Sequence, residues 1–176
     1  MVKFLQWPGM LLLIAALMIT GCSSKTDSEP VNTSTESKEI KPLNKEEAIT
    51  LISQAIELSN KLFAEKPMLT TEEIYEHYDP LFTRNYVDQI ELKGGNLKEK
   101  DGTWAYAYEG GELLEGTFIN SLTEDSVSIE NAKDGKAITV TNVVGDGLYA
   151  PHNEIITLVY TNAGWKIDNL VWEKAK

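Results

Sequence analysis

The side chains that could act as nucleophiles or bases are few in this 176-residue sequence. It contains one cysteine, Cys22, and two histidines, His77 and His152. Nucleophilic catalysis needs a serine, threonine or cysteine beside a histidine that a carboxylate orients. No serine lies in the G-x-S-x-G pattern of a nucleophile elbow. The sequence therefore predicts no catalytic triad.

Two further patterns could carry metal or acid–base chemistry. Glu73 and His77 share one face of a predicted helix, but one Glu and one His make half of a zinc site. Asp168 is the candidate general acid or base, because alternation in the last strand puts it on one face with Lys166 and Leu170. We favour a surface pair for Glu73 with His77 and a cross-strand partner for Asp168. We therefore expect no enzymatic activity, no metal and no cofactor.

The elements that must position these residues change in period along the chain. Apolar residues at helical spacing, with capping residues ahead of them, predict three helices, from Asn44 to about Phe63, from Thr70 to Pro80 and from Thr83 to Gly94. Beyond Gly102, alternating apolar residues predict strands over 104–108, 113–119, 126–130, 137–144, 153–161 and 165–173. Helices followed by antiparallel strands indicate an α+β domain, with the N-terminal helices packed on a curved antiparallel sheet.

Residues 1–21 have the layout of a secretory signal peptide. Lys3 precedes an apolar stretch, 10–19, that is too short for a bilayer, which needs about 20 apolar residues. The stretch ends in Ile19-Thr20-Gly21-Cys22, which resembles the bacterial lipobox. The resemblance implies a lipoprotein signal peptide and a diacylated Cys22, with acyl chains such as palmitate, as the mature N-terminus.

The rest of the chain divides into a tether and a domain. Residues 22–43 are polar and predict a lipidated flexible tether, and residues 44–176 are enough for a single folded domain. The lipid on Cys22 would hold this domain at the extracytoplasmic face of the cell membrane. The net charge of −11 argues against nucleic acid and anionic wall polymers as partners.

The loop over 145–153 is the first segment interpreted as a partner-binding surface. It is longer than a hairpin needs, and it carries Asp146, Leu148, Tyr149 and His152. An apolar and aromatic tip on such a loop is suited to enter the cleft of a partner protein. The alternative is an ordinary connector whose tyrosine folds back on the sheet.

An acidic rim is the second candidate partner-binding surface. Glu109 and Glu112, followed by Glu115, punctuate a predicted turn that contains paired glycines and paired leucines. Charge of one sign on such a rim steers a domain toward a basic partner. Solvated charge without a partner is the ordinary alternative.

The chain resembles the IseA family over about residues 70–173. The likeness rests on four stretches, Tyr78-Asp79-Pro80-Leu81-Phe82-Thr83, Asn96-Leu97-Lys98-Glu99-Lys100-Asp101-Gly102, Gly110-Gly111-Glu112-Leu113-Leu114 and Gly164-Trp165-Lys166-Ile167-Asp168. This family comprises secreted bacterial inhibitors of peptidoglycan DL-endopeptidases. The resemblance implies a cystatin-like or NTF2-like sheet that presents a loop to a protease cleft.

Two functions follow as expectations. The first is a noncatalytic, membrane-anchored lipoprotein that binds and inhibits or modulates a cell-wall hydrolase of the DL-endopeptidase type. The alternative is an NTF2-like lipoprotein of the cell envelope that binds or senses a small ligand, using Trp104, Tyr106, Tyr108 and Asp168. An aromatic face packed under a helix is the ordinary explanation of that stripe. A deep cavity would favour the alternative function.

Overall fold

The computed structural model describes residues 40–108, 114–145 and 147–175. These residues fall in one unit of the chain, residues 38–176. Cys22, Glu109, Glu112 and Asp146 lie outside the described residues, as do the signal peptide and nearly all of the tether. Within the described ranges, no helix is long and apolar enough to cross a membrane.

The mixed α+β class predicted from the sequence is confirmed. The helices are α1 (Lys45–Ser59), α2 (Thr71–Tyr78) and α3 (Arg84–Tyr86), which continues as a π-helix (Val87–Leu92). The strands are β1 (Leu69–Thr70), β2 (Leu97–Lys100), β3 (Thr103–Tyr106), β4 (Val127–Asn131), β5 (Ala137–Val144), β6 (His152–Thr161) and β7 (Gly164–Lys174). They form two antiparallel sheets.

The predicted starts of all three helices are confirmed. Asn44 accepts a hydrogen bond from the Glu47 amide, while the Glu47 carboxylate accepts one from the Asn44 amide. Thr70 and Glu73 form the same reciprocal capping box at α2, and the Thr83 hydroxyl caps α3. These side chains satisfy amides that have no partner within the first helical turn.

Two predicted elements differ from the structure. α1 is shorter than predicted and ends at Ser59, because the Lys61 and Leu62 amides bond three residues back rather than four and tighten the chain into a turn. The strand predicted over 113–119 is wrong for its described part, 114–119. There the Thr117 amide and hydroxyl both bond the Leu114 carbonyl, and this turn prevents an extended strand.

The strand that carries Trp104 belongs to a small sheet of three strands, in the order β1-β3-β2. The turn between β2 and β3 has positive φ angles at Asp101 (55°) and Gly102 (82°), as tight hairpins require. The sequence pattern does not predict β2, because Leu97 is its one buried residue and three exposed charged residues follow. The aromatic stripe therefore does not lie on the main sheet.

The main sheet is a four-stranded meander in the order β4-β5-β6-β7. Its hairpins confirm the turns predicted at 133–135 and 162–164. The register of β6 with β7 shifts between Thr157 and Leu158, which makes Asp168 an extra, bulged residue. The predicted alternation of Asp168 with Lys166 and Leu170 is therefore wrong.

The segment between α2 and α3 runs along β7 and holds the helices to the main sheet. Two backbone hydrogen bonds, of 2.9 and 2.8 Å, join it to Ile167. The Asp168 carboxylate accepts a hydrogen bond from the Thr83 hydroxyl at 2.7 Å, and the buried Lys166 amine pairs with the Asp79 carboxylate at 3.1 Å. We call these contacts the helix–sheet seam.

The hydrophobic core lies between the helices and the main sheet. α1 contacts β4, and α3 contacts β7 beside the seam. The residues that fill it are apolar and almost fully buried, among them Ile52, Ile74, Phe82, Ile138, Ile156 and Ile167. Burial of these side chains is the main stabilising contribution to the fold.

Candidate functional site

A cavity of about 210 Å³ opens near the end of α1 and reaches into the core. Its walls come from α1, α2, the π-helix, β3 and the segment 117–121. The exposed lining residues Asn60, Tyr106 and Ser121 mark its mouth. The lining residues deeper in the domain are Tyr78, Phe82, Tyr86, Glu91, Asn96 and Thr117.

Glu91 is a buried acid on the wall of this cavity, with 2% of its surface exposed. The wider turn of the π-helix carries it onto the same buried side as Tyr86 and Val87. Burial raises the pKa of the Glu91 carboxyl to about 7, although a hydrogen bond from the Tyr78 hydroxyl acts in the opposite direction. Near neutral pH, Glu91 is therefore present in both its protonated and its ionised form.

Two buried tyrosines stand beside this acid. Burial, and then the charge of Glu91, raise the pKa values of Tyr78 and Tyr86 well above their ordinary range. The Ser59 hydroxyl lies 3.1 Å from the Tyr78 hydroxyl. The Phe82 ring packs between the two tyrosines, with centroid distances of 4.9 and 4.5 Å. One wall of the cavity is therefore aromatic, with neutral hydroxyl groups.

Asn96 follows Glu91 on the cavity wall and is 3% exposed, and its Oδ1 has no hydrogen-bond partner among the described residues. The turn between the two residues needs glycine. A Cβ at Gly94 would lie 2.0 Å from the Ile90 carbonyl oxygen, and Gly95 has a φ of +90°. The two glycines therefore determine how the chain places Asn96 relative to Glu91.

A second buried acid, Glu154, is fully satisfied by hydrogen bonds. Its carboxylate accepts from the Asn120 amide at 3.0 Å, from the Asn120 side chain at 2.6 Å and from the Asn142 side chain at 2.8 Å. His152 lies 3.7 Å from the same carboxylate, which is too far for a hydrogen bond. Glu154 therefore ties β6 to the segment that lines the cavity.

The residues predicted for the ligand-binding alternative do not form one site. Tyr106 lines the cavity. The Trp104 indole donates to the Thr71 hydroxyl at 2.9 Å, and Tyr108 is 43% exposed. Asp168 belongs to the helix–sheet seam. Of the four predicted residues, all described, the structure places one on the cavity.

The predicted partner-binding loop is split between an exposed and a packed part. Leu148 is fully exposed. Tyr149 is half-buried, because its ring packs on Phe118 and Trp172 at centroid distances of 5.5 and 5.3 Å. His152 is 3% exposed and stacks on Trp172 at 3.8 Å. The Tyr149 ring packs on Trp172 of β7, as in the alternative in which the tyrosine folds back on the sheet, and Leu148 alone is an exposed large apolar side chain at the tip.

The pairing expected between Glu73 and His77 is also wrong. The Glu73 carboxylate takes part in the capping box of α2 and pairs with Lys66. The His77 Nε2 lies 2.7 Å from the Leu58 carbonyl oxygen. The two side chains therefore contact residues of other elements, Lys66 after α1 and Leu58 in α1, and not each other.

Sequence reasoning missed the two residues that define the cavity. Glu91 reads as one polar residue in a helix, and Asn96 as part of a turn. The Gly94-Gly95 pair, where the predicted third helix stops, is the one sequence signal near these residues. The burial of Glu91 depends on the wider turn of the π-helix, and the sequence does not indicate that turn.

Comparisons with known proteins assign no family to this chain. No family model matches it, and no curated protein matches it. The likeness to the IseA family therefore stays a prediction from four sequence stretches. The function proposed below is inferred from the geometry of the cavity and the loop.

The raised pKa of Glu91 predicts a pH dependence of stability. Between pH 4.5, its ordinary value, and about pH 7, the folded chain holds a proton that the unfolded chain has released. The free energy of unfolding therefore falls as pH rises through this window, by about 3 kcal/mol for a shift of this size. We expect Glu91→Gln to be more stable than the wild type at pH 8, with a gain that shrinks toward pH 5.

Urea unfolding of both chains at pH 5 and pH 8 measures this difference. Tyr78 and Tyr86 stay neutral in this range, so they do not contribute to it. Glu76→Gln, at an exposed glutamate, is the matched control and should follow the wild type at both pH values. A Glu91→Gln chain with the wild-type pH dependence would contradict the burial of an ionisable carboxyl.

Proposed function

We propose that this protein is a noncatalytic, membrane-anchored lipoprotein of the bacterial cell envelope that binds a small ligand in the cavity beside Glu91. The observation that carries the proposal is the pair of buried polar groups on the cavity wall. Glu91 has no cationic partner among the described residues, and the Asn96 Oδ1 has no hydrogen-bond partner there. A buried carboxylate without a cation and a buried amide oxygen without a donor both cost stability, and a ligand that pairs with them offsets this cost.

The shape of the cavity supports the same proposal. Binding sites for small molecules are concave, largely apolar, and carry a few convergent polar groups. A cavity of about 150 Å³ holds benzene in another protein, and this one measures about 210 Å³. A ligand with one ring or a short chain fits that volume.

Blocking the mouth of the cavity should abolish ligand binding. We expect compounds from a library of acidic, neutral and basic fragments to raise the melting temperature of the full chain in lipid nanodiscs. Ser121→Trp, at the mouth, should remove these shifts, whereas Ser128→Trp, at an exposed serine of β4 away from the cavity, should keep them. A library without hits, or hits that survive Ser121→Trp, would overturn the cavity as the binding site.

The anchoring part of the proposal rests on Cys22. If Cys22 is acylated, Cys22→Ala should prevent incorporation of labelled palmitate and release the protein from the membrane fraction, because two acyl chains provide stable anchoring. Ser23→Ala, one residue further along, should leave both unchanged. Palmitate labelling that persists in Cys22→Ala would contradict the lipobox assignment.

A second candidate function is inhibition of a cell-wall DL-endopeptidase, and the exposure of Leu148 favours it. This side chain is fully exposed at the tip of a loop, and apolar tips of this kind insert into clefts of partner proteins. Tyr149 packs on Phe118 and Trp172 and supports the loop from beneath. Asp146 of this loop and Glu109 and Glu112 of the acidic rim lie outside the described residues and stay predicted contacts of the partner.

Leu148→Ala is the clean test of this second function, since it removes exposed atoms and leaves the packing of Tyr149 intact. Inhibition of a DL-endopeptidase by the full chain should weaken by tenfold or more, as expected for the loss of an interface hot spot. Val143→Ala, at another exposed aliphatic residue, should inhibit like the wild type. Inhibition by Leu148→Ala as strong as that by the wild type would exclude the loop as the inhibitory surface.

A further inference from the structure

The described lining of the cavity contains a carboxyl and an unpaired amide oxygen but no cationic side chain. Among the residues that the structure describes, no Lys, Arg or His side chain lines it, whereas the Glu91 carboxyl and the Asn96 amide do. Resting on the small-ligand function proposed above, we infer that the ligand is a small organic cation, an ammonium group carried on an apolar body.

The charge of the site favours a cation over an anion or a neutral ligand. An ionised carboxylate in the protein interior is costly unless it is paired, and no Lys, Arg or His of the described ranges pairs with Glu91. Glu154 is buried outside the lining of the cavity, and its charge contributes to the raised pKa of Tyr86. A cationic ligand is attracted by both acids, and an anionic ligand is repelled by both.

The hydrogen-bonding groups point to the same ligand class. An ammonium group carries three donors and no acceptor. The Glu91 carboxylate and the Asn96 Oδ1 are acceptors on the lining, and the second of these has no partner among the described residues. An ammonium group has protons to donate to these acceptors, whereas a carboxylate ligand has none.

The aromatic wall and the size of the cavity select an organic cation over a metal ion. Tyr78, Phe82 and Tyr86 present packed rings on the lining, and aromatic faces attract organic cations. In the described part of the chain, no group of three His, Cys, Asp or Glu residues is placed to hold a metal ion. The remaining volume accepts an apolar body of about the size of one ring.

Binding of a cation should depend on the ionisation of Glu91. The titratable groups that face it are Tyr78 from α2, Tyr86 from α3 and Tyr106 from β3, and burial raises the pKa of each of them. These tyrosines stay neutral, so the Glu91 carboxyl, whose pKa is about 7, is the group that changes charge near neutral pH. Below that pH a proton competes with the ammonium group for the carboxylate.

Benzylamine, benzyl alcohol and benzoate form a matched set of probes for titration calorimetry with the full chain in nanodiscs. At pH 8 we expect benzylamine to bind at least tenfold more tightly than benzyl alcohol, with no binding of benzoate. The affinity for benzylamine should be about tenfold weaker at pH 6, while that for benzyl alcohol stays constant. Glu91→Gln should remove both the preference for the amine and its pH dependence, and Glu76→Gln should keep them.

The wild-type measurements test the inference without any variant. Benzyl alcohol that binds as tightly as benzylamine at pH 8, or an amine affinity that does not change with pH, would overturn the cationic ligand and leave the small-ligand function intact. If none of the three probes binds, the inference of a cationic ligand is overturned as well. The fragment library then decides whether the cavity binds any small molecule, so the two proposals fail separately.

Discussion

The helix–sheet seam is the constraint on which the rest of the structure depends. The chain between α2 and α3 bonds to β7 through its backbone at Ile167, and the side chains of Lys166 and Asp168 anchor it on either side. Tyr78 precedes this segment, while Phe82 lies within it. Because the seam holds both rings in place, it also determines the aromatic wall of the cavity.

The buried acid of the cavity lowers the stability of the folded state and is also part of the candidate binding site. Glu91 ionises in the interior without a cationic partner from the part of the chain that the structure describes, and this weakens the folded state near neutral pH. Sites that bind ligands often retain groups of this kind, because the ligand offsets a cost that the empty fold bears alone. Phe118 lines the cavity and also contacts Tyr149 of the exposed loop, so the two candidate surfaces share one side chain.

Features that depend on neighbours in the sequence were predictable. The capping boxes at Asn44 and Thr70 need a glutamate three residues later, and hairpin turns need a glycine at one position, so short patterns define both. The order of helices and then strands gave the α+β class. β2 was not predicted, because its charged sequence resembles a loop. The 114–119 segment was predicted as a strand because of its apolar residues, although it forms a turn.

The sequence by itself determined where the helices begin and where the main hairpins turn, since capping side chains and turn residues decide these locally. Only the tertiary structure decided the roles of the polar residues outside the helix caps. Asp168 became a bulged partner of Thr83, and Tyr149 folded onto Trp172, because residues far along the chain supply their contacts. Glu91 became a buried acid for the same reason: its burial and its raised pKa come from groups on other elements, which no local pattern contains.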